Sequence, residues 1–423
     1  MRSSSSVGAA RRSSLWRNRD YMCWWTGTAF SVLGSSVSVI AFPLLILFGG
    51  ASVFDAGLIA AAERGGALVT RLWGGAIADR YPRRVILIAG PLGQAVLMAA
   101  VAVAVHSGHV VIPLLSGIAF TTGLLVGIDS SATLPALRRI VPREQLAARA
   151  AQEQGLHQAA QLAASPLAAM MFGIARWLPF GFDAVSCLAA SVGIALVRKP
   201  LGPDKAAAAR RGEGGLVDGI REGLRIVVRH PFLRYTTAWV SVTNLVGSSV
   251  ILLAMALLKQ HGFGAQAIGL TNAVILGGGV LGSVVAGVLI RAIESRRLFL
   301  LGNWAYVVTL GAAALAHSPW QLAIAAGLFV FASVPTASVW EAYTATLVPD
   351  ELFGRVGATT SFAAQSLTWV GVLLAGALAD MFGAQVALAC FAALLVPFAA
   401  ANHRTKSLRL MRTPLAEVTE LRA

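Results

Sequence analysis

Asp129 stands beside Ser130 and Ser131 in an otherwise apolar stretch, and a carboxylate there has two chemical uses. It can take up and release a proton, because burial raises a carboxyl pKa toward neutrality, or it can pair with a buried arginine such as Arg71. Glu63, Arg64 and Arg71 share the second apolar run. Arg64 and Arg71 are seven apart and so lie on one helical face, with Glu63 turned away by a quarter turn or more. A basic stripe of this kind either faces a cavity that takes anionic or zwitterionic molecules or pairs with neighbouring helices. Glu153, His157 and Gln161 recur every four residues, beside Gln154 and Gln158. His157 either faces a cavity as a proton-exchanging or cargo-binding group or serves packing as a hydrogen-bonded histidine. Glu341 ranks with Glu63 behind Asp129 as a proton carrier. Asn244, Asn272 and Gln365 are amides that contact a bound molecule or bridge helices.

No P-loop, zinc pattern or nucleophile elbow occurs, so no catalytic residue, metal or cofactor is expected and the chain does not read as an enzyme. Cys23, Cys187 and Cys390 lie singly in apolar runs and form no disulfide or metal framework.

The elements that must hold these groups are membrane helices. The 423 residues are 57% hydrophobic and 13% charged, and the mean hydropathy is +0.71. Such a composition cannot cover a water-facing surface. Apolar runs of about 20 residues match a hydrocarbon core of roughly 30 Å. They predict helices near 21–48, 57–78, 85–105, 111–134, 150–174 and 178–197, then 235–258, 266–290, 298–316, 320–343, 356–379 and 384–401. The expected fold is all-α and integral to the membrane, with twelve transmembrane helices in two six-helix halves, 21–197 and 235–401. Residues 1–20 and 402–423 read as tails and 198–234 as a central loop holding an amphipathic helix.

The net charge of +15 belongs to topology rather than to nucleic acid. Arg80, Arg83, Arg84, Arg138, Arg139, Arg143, Arg149, Arg291, Arg296, Arg297 and Arg355 fall in alternate loops, which together with the basic tails places both termini in the cytoplasm. Tryptophans near the helix ends, Trp24 and Trp239 among them, read as interfacial anchors. A short repeat supports the two halves: Ile140-Val141-Pro142-Arg143-Glu144 echoes Leu347-Val348-Pro349-Asp350-Glu351. Gln158 and Gln365 stand at matched positions beyond the two prolines.

After the second run comes Gly75-Ala76-Ile77-Ala78-Asp79-Arg80-Tyr81-Pro82-Arg83-Arg84-Val85-Ile86-Leu87. This stretch resembles the signature between helices 2 and 3 of the major facilitator superfamily, with Pro82 in place of a glycine and Ile77 in place of a leucine. The resemblance implies a gate in which Gly75, Asp79, Arg80, Arg83 and Arg84 latch the cytoplasmic side, Arg138, Arg139 and Arg355 being candidate partners for Asp79. The second half has no acid at the matching place between Gly287 and Leu300.

Ser165-Pro166 and the small residues around it are a degenerate form of the antiporter element of that family. Phe182-Asp183-Ala184-Val185-Ser186 and His230-Pro231-Phe232-Leu233-Arg234 are similar to the branch with bacterial siderophore and macrolide exporters. The resemblance thus implies a monomeric inner-membrane secondary transporter, partnered by lipid, protons and a small-molecule cargo. It would export small amphipathic molecules by alternating access. An importer or facilitator of a metabolite, and a non-transporting receptor on the same fold, remain open alternatives.

Overall fold

Two kinds of turn punctuate the chain. Gly50, Gly108, Gly262 and Gly383 hold φ between 75° and 88°, a region that side chains with a Cβ avoid, and all four reverse the chain on one face of the molecule. Prolines 82, 142 and 349 make the turns of the opposite face. The computed structural model describes residues 15, 18–202, 216–413 and 417. Its helices are α1 (Arg19–Phe48), α2 (Val53–Arg80), α3 (Arg83–His106), α4 (Ile112–Ile140), α5 (Leu146–Ile174), α6 (Leu178–Ala195), α7 (Leu216–Arg229), α8 (Pro231–Gln260), α9 (Ala265–Ala292), α10 (Ser295–Ala314), α11 (Pro319–Leu347), α12 (Asp350–Ser366), α13 (Thr368–Phe382) and α14 (Ala384–Arg404).

Among the described residues, ten helical spans are long and apolar enough to cross a membrane, one of them running through α12 and α13 as Val356–Phe382. The other two long helices, α2 and α5, match them in length at 28 and 29 residues but carry the polar stripes.

The first six helices form one bundle. Asn18 Nδ2 donates to the Ile140 carbonyl at 3.0 Å, and the Arg198 N–H donates to Asp20 at 3.0 Å. These contacts gather the start of α1 and the ends of α4 and α6 on one face, here the tail face. In the second bundle, Tyr235 donates to Asn402 at 2.6 Å and Arg296 to the His403 carbonyl at 3.1 Å. Within the first bundle α2 and α4 approach closely through glycine. A Cβ on Gly66 would collide with the Phe120 carbonyl, and one on Gly123 with the Glu63 carbonyl.

Several expected boundaries shift. Helix 4 continues six residues past 134 to Ile140, with Pro135 inside it; one missing hydrogen bond does not end a long packed helix. Asp129 therefore lies eleven residues, about 16 Å, from the tail-face end rather than the five that an end at 134 would leave. The eleventh run is not one helix but two, split at Leu367.

α8 supplies the partners that the split requires: Ser241 donates to the Ala363 carbonyl at 2.8 Å, Asn244 to Ala364 at 3.0 Å and Ser248 to Thr368 at 3.0 Å. Trp24 and Trp239 are buried at 4% and 2% exposure, and Trp239 donates to Asn303, so neither is an interfacial anchor. Residues 402–413 are not wholly a tail. α14 runs through Arg404, and Tyr343 donates to the Met411 and Thr413 carbonyls at 3.2 and 2.8 Å.

Candidate functional site

The halves meet on the face opposite the tails. Asp380, at the end of α13, accepts from the Val53 and Phe54 N–H groups at 2.9 and 2.8 Å. It thereby caps the N-terminus of α2, where a carboxylate is favoured by the unpaired N–H groups and the helix dipole. One turn earlier, a Cβ on Gly376 would stand 2.7 Å from Phe54 Cα, and one on Gly57 would stand 2.7 Å from the Val372 carbonyl. On the other side of the bundle Gly269 of α9 lies against Ser165 and Ala169 of α5, where a Cβ would be 2.8 Å from the Ser165 carbonyl. The small residues around Ser165-Pro166 thus form a backbone seal. Lys259 lies over the Phe48 ring at 4.1 Å on the same far face.

Above this seal two cavities open between the halves, with Gln161 in the wall of both. One, of 730 Å³, runs from Trp24 and Arg149 near the tail face down to Ile251 and Leu276, with Asp129 and His157 in its wall. Its remaining surface is mostly apolar. The other, of 640 Å³, is lined by Arg64, Arg71, Asn244 and Gln365, with Thr368 from the break between α12 and α13. Helix breaks at such a place expose backbone polar groups to a cavity, a device seen in transporters.

Asp129 Oδ1 is buried and accepts no hydrogen bond. It points at Gly90 of α3, where a Cβ would approach it to 3.3 Å. Arg71 lines the neighbouring cavity instead, so the Asp129–Arg71 pair is not the arrangement present. Glu153 pairs with Arg149 at 2.5 Å one turn away.

Other expected residues fall elsewhere. Asn272 is fully buried with neither amide atom bonded, and Gln158, Asn272 and Glu341 line neither cavity. Asn244 lines the second cavity while its Nδ2 is committed to the Ala364 carbonyl. Arg80 is exposed at the end of α2. Arg83 is buried at 8% exposure rather than free in solvent, and Arg84 donates to the Ala195 carbonyl at 2.7 Å, tying α3 to α6. Gly75 and Asp79 lie in the last two turns of α2; their surroundings, and the side chain of Arg355, lie outside the described residues.

Two residues escaped the sequence reading. Asp380 ends Gly376-Ala377-Leu378-Ala379-Asp380, which repeats Gly75-Ala76-Ile77-Ala78-Asp79 with leucine for isoleucine at the other face of the molecule. That repetition was the available signal. Asp183, read above only as part of the Phe182–Ser186 likeness, is a buried acid at 3% exposure that accepts from Ser35 at 3.1 Å.

Residues 24–249, more than half the chain, match the family model described as Major Facilitator Superfamily. The multidrug efflux pump Tap of Mycolicibacterium fortuitum is 26% identical over 386 residues, covering 86% of this chain and 89% of Tap. Among solved structures, the nucleoside transporter NupG (D323A mutant) superposes with a TM-score of 0.70 at 9% identity, over 90% of this chain and 99% of that one. A bacterial homologue of the iron transporter ferroportin, in its inward-facing state, gives 0.64 at 17% identity, over 92% and 100%.

Proposed function

The chain belongs to the major facilitator superfamily of transporters, and from that premise we propose that it exports small amphipathic molecules in exchange for protons, by rocking of its two halves. The observation that carries this reading is the carboxylate of Asp129, whose Oδ1 is buried and unbonded, in the wall of a large, mostly apolar cavity between the halves. A carboxyl so placed binds a proton from one side and releases it to the other as access alternates. Export is supported by the 26% identity to an efflux pump and by the small-residue seal at Ser165. The residues similar to siderophore and macrolide exporters favour the same branch. Arg64 and Arg71, opposite Asn244 and Gln365, would hold an anionic or polar end of the cargo, and the cavity around Trp24 and Val39 its apolar body. Asp79 would latch the tail face when the far face opens.

In this reading α2 and α5 also cross the bilayer, making twelve spans, and the tail face lies in the cytoplasm of the inner membrane. Cysteine labelling in intact cells should then find residues 82 and 295 accessible only from the cytoplasm, and 107 and 318 from outside. The opposite pattern at 82 or 295 overturns the orientation.

The function itself is tested in everted vesicles acidified inside. Amphipathic dyes should accumulate with the protein present, and collapsing the pH gradient should return uptake to the level of vesicles lacking it. Accumulation indifferent to the gradient overturns proton coupling. Gradient-driven uptake in the reverse direction would favour an importer instead.

A further inference from the structure

A third, smaller cavity lies within the first bundle, beside the 730 Å³ cavity and away from the one that holds Arg64 and Arg71. It measures 40 Å³ and is lined by Glu63 of α2 and Asp183 of α6, with Ser35 and Ser38 of α1, Gln94 of α3 and Thr122 of α4 among its polar groups. That volume exceeds the 10–15 Å³ or so that one water or small ion requires. The approach of α2 to α4 at Gly123 sets Glu63 beside the level of Thr122.

The occupant of this space is indicated by its walls. Ser35 and Ser186 donate to the same oxygen of Asp183, Oδ1, at 3.1 and 3.3 Å, and Cys187 Sγ stands 3.5 Å from it. Thr122 Oγ1 is buried with no hydrogen-bond partner. Ser38 is 3% exposed, and its Oγ faces Asp183 without hydrogen-bond geometry. Two carboxylates and two unsatisfied hydroxyls around a desolvated space are costly unless something positive sits among them.

We propose that the space enclosed by Glu63, Asp183, Ser38, Thr122 and Gln94 is a binding site for a dehydrated monovalent cation of sodium's size. Carboxylate, hydroxyl and amide oxygens are hard donors suited to alkali and alkaline-earth ions rather than to softer metals. No trio of His, Cys, Asp and Glu that could hold a metal ion occurs among the described residues. Charge balance favours one positive charge over two. Arg64, adjacent to Glu63, already offsets one carboxylate, so a single monovalent ion brings the group to neutrality.

The other titratable groups near the site are Arg64 on α2, Cys187 on α6 and, farther along α4, Asp129; α1 and α3 contribute only neutral polar groups. Ser35, Val39, Gln94 and Val126 line both this space and the 730 Å³ cavity, so Gln94 stands where an ion would pass between them. Sodium held there would tie α1, α2, α4 and α6 together, and protons would compete for the same carboxylates.

The test uses the full-length purified protein in detergent at pH 8, with radioactive sodium as the probe and thermal unfolding as a second readout. Saturable binding of about one sodium per chain is expected. Sodium chloride should raise the unfolding temperature by a few degrees, whereas choline chloride at equal ionic strength should not. Asp183→Asn and Glu63→Gln should each abolish both effects.

Thr122→Val keeps the shape and removes one donor oxygen. It should weaken sodium binding several-fold without changing the unfolding temperature in choline, and it decides the matter if the carboxylate variants do not fold. Absence of sodium-specific binding in the wild type overturns the proposal, as does undiminished binding in folded Asp183→Asn or Thr122→Val protein. Stabilisation by acid alone, with no response to sodium, overturns it in favour of a proton shared by the two carboxyls. Because the readout is sodium binding, a protein that binds sodium but does not pump would defeat only the efflux reading.

Discussion

Replacing Asp129 by asparagine is expected to reduce gradient-driven efflux to the level of liposomes without protein, while cargo exchange down its own gradient continues. The neutral amide has the shape of the protonated carboxyl, so one half of the cycle is preserved and the coupled half is removed. A structural acid would behave differently. Loss of its charge would strand a buried arginine at a cost of about 3–5 kcal/mol, and expression, thermal stability and every transport mode would fall together. The geometry opposes that outcome, since Oδ1 accepts no hydrogen bond and Arg71 faces another cavity. Efflux and exchange are measured from the same proteoliposomes with and without an imposed pH gradient. Wild-type coupled efflux in a stable Asp129→Asn protein would remove Asp129 from the mechanism and turn attention to Glu63 and Glu341.

The second large effect is expected at the far-face seal. Gly376→Leu places a side chain where even a Cβ would lie 2.7 Å from Phe54 Cα. Backbone cannot yield as a flexible side chain can, so α13 must move away from α2. Overpacking of this kind costs about 1–3 kcal/mol in the closed form only, which shifts the balance toward the open form by about five- to a hundredfold. A reporter cysteine at position 372, where Val372 is 1% exposed, should become reactive to a reagent added from the far side, and transport should be lost.

Asp380→Asn should give the graded version. It weakens the charge at a helix N-terminus by about 1 kcal/mol, a shift of about fivefold. Gel filtration separates these results from unfolding. Unchanged reactivity at 372 in folded Gly376→Leu protein would show that the contact is not the seal.

The helices could be read from the sequence because a bilayer demands long apolar runs, and the arginine clusters fall at the ends of those runs and in the segments between them. What escaped was decided by residues far apart in sequence. The break at Leu367 depends on Ser241, Asn244 and Ser248, each 120 residues or more from its acceptor, and no local signal marks it. Pro135 is the converse case: a strong local breaker overruled by packing around it. Asp129, Arg64, Arg71, His157 and Gln365 could be selected because charge and amide are scarce at such depth, and each lines one of the two large cavities. Asn272 has the same local character and is simply buried. Asp183 was passed over because its partner Ser35 lies 148 residues away. Asp380 sits so near a helix end that it resembles an ordinary solvated acid until α2 is seen beneath it.

The position of Gln161 in the wall of both cavities also bears on inhibition. One lobe presents an acid within apolar walls, and the other presents two guanidinium groups opposite amides. A linear molecule with an amine at one end and a carboxylate at the other would therefore enter in a single orientation. Two weak fragments, each fitted to one lobe, would gain from a tether across Gln161, because capture of the first makes the second contact intramolecular. With a linker of matching length, effective concentrations in the millimolar range or above would turn two marginal ligands into one strong blocker. Such a compound would also wedge the halves apart on the tail face and hold the far-face seal shut.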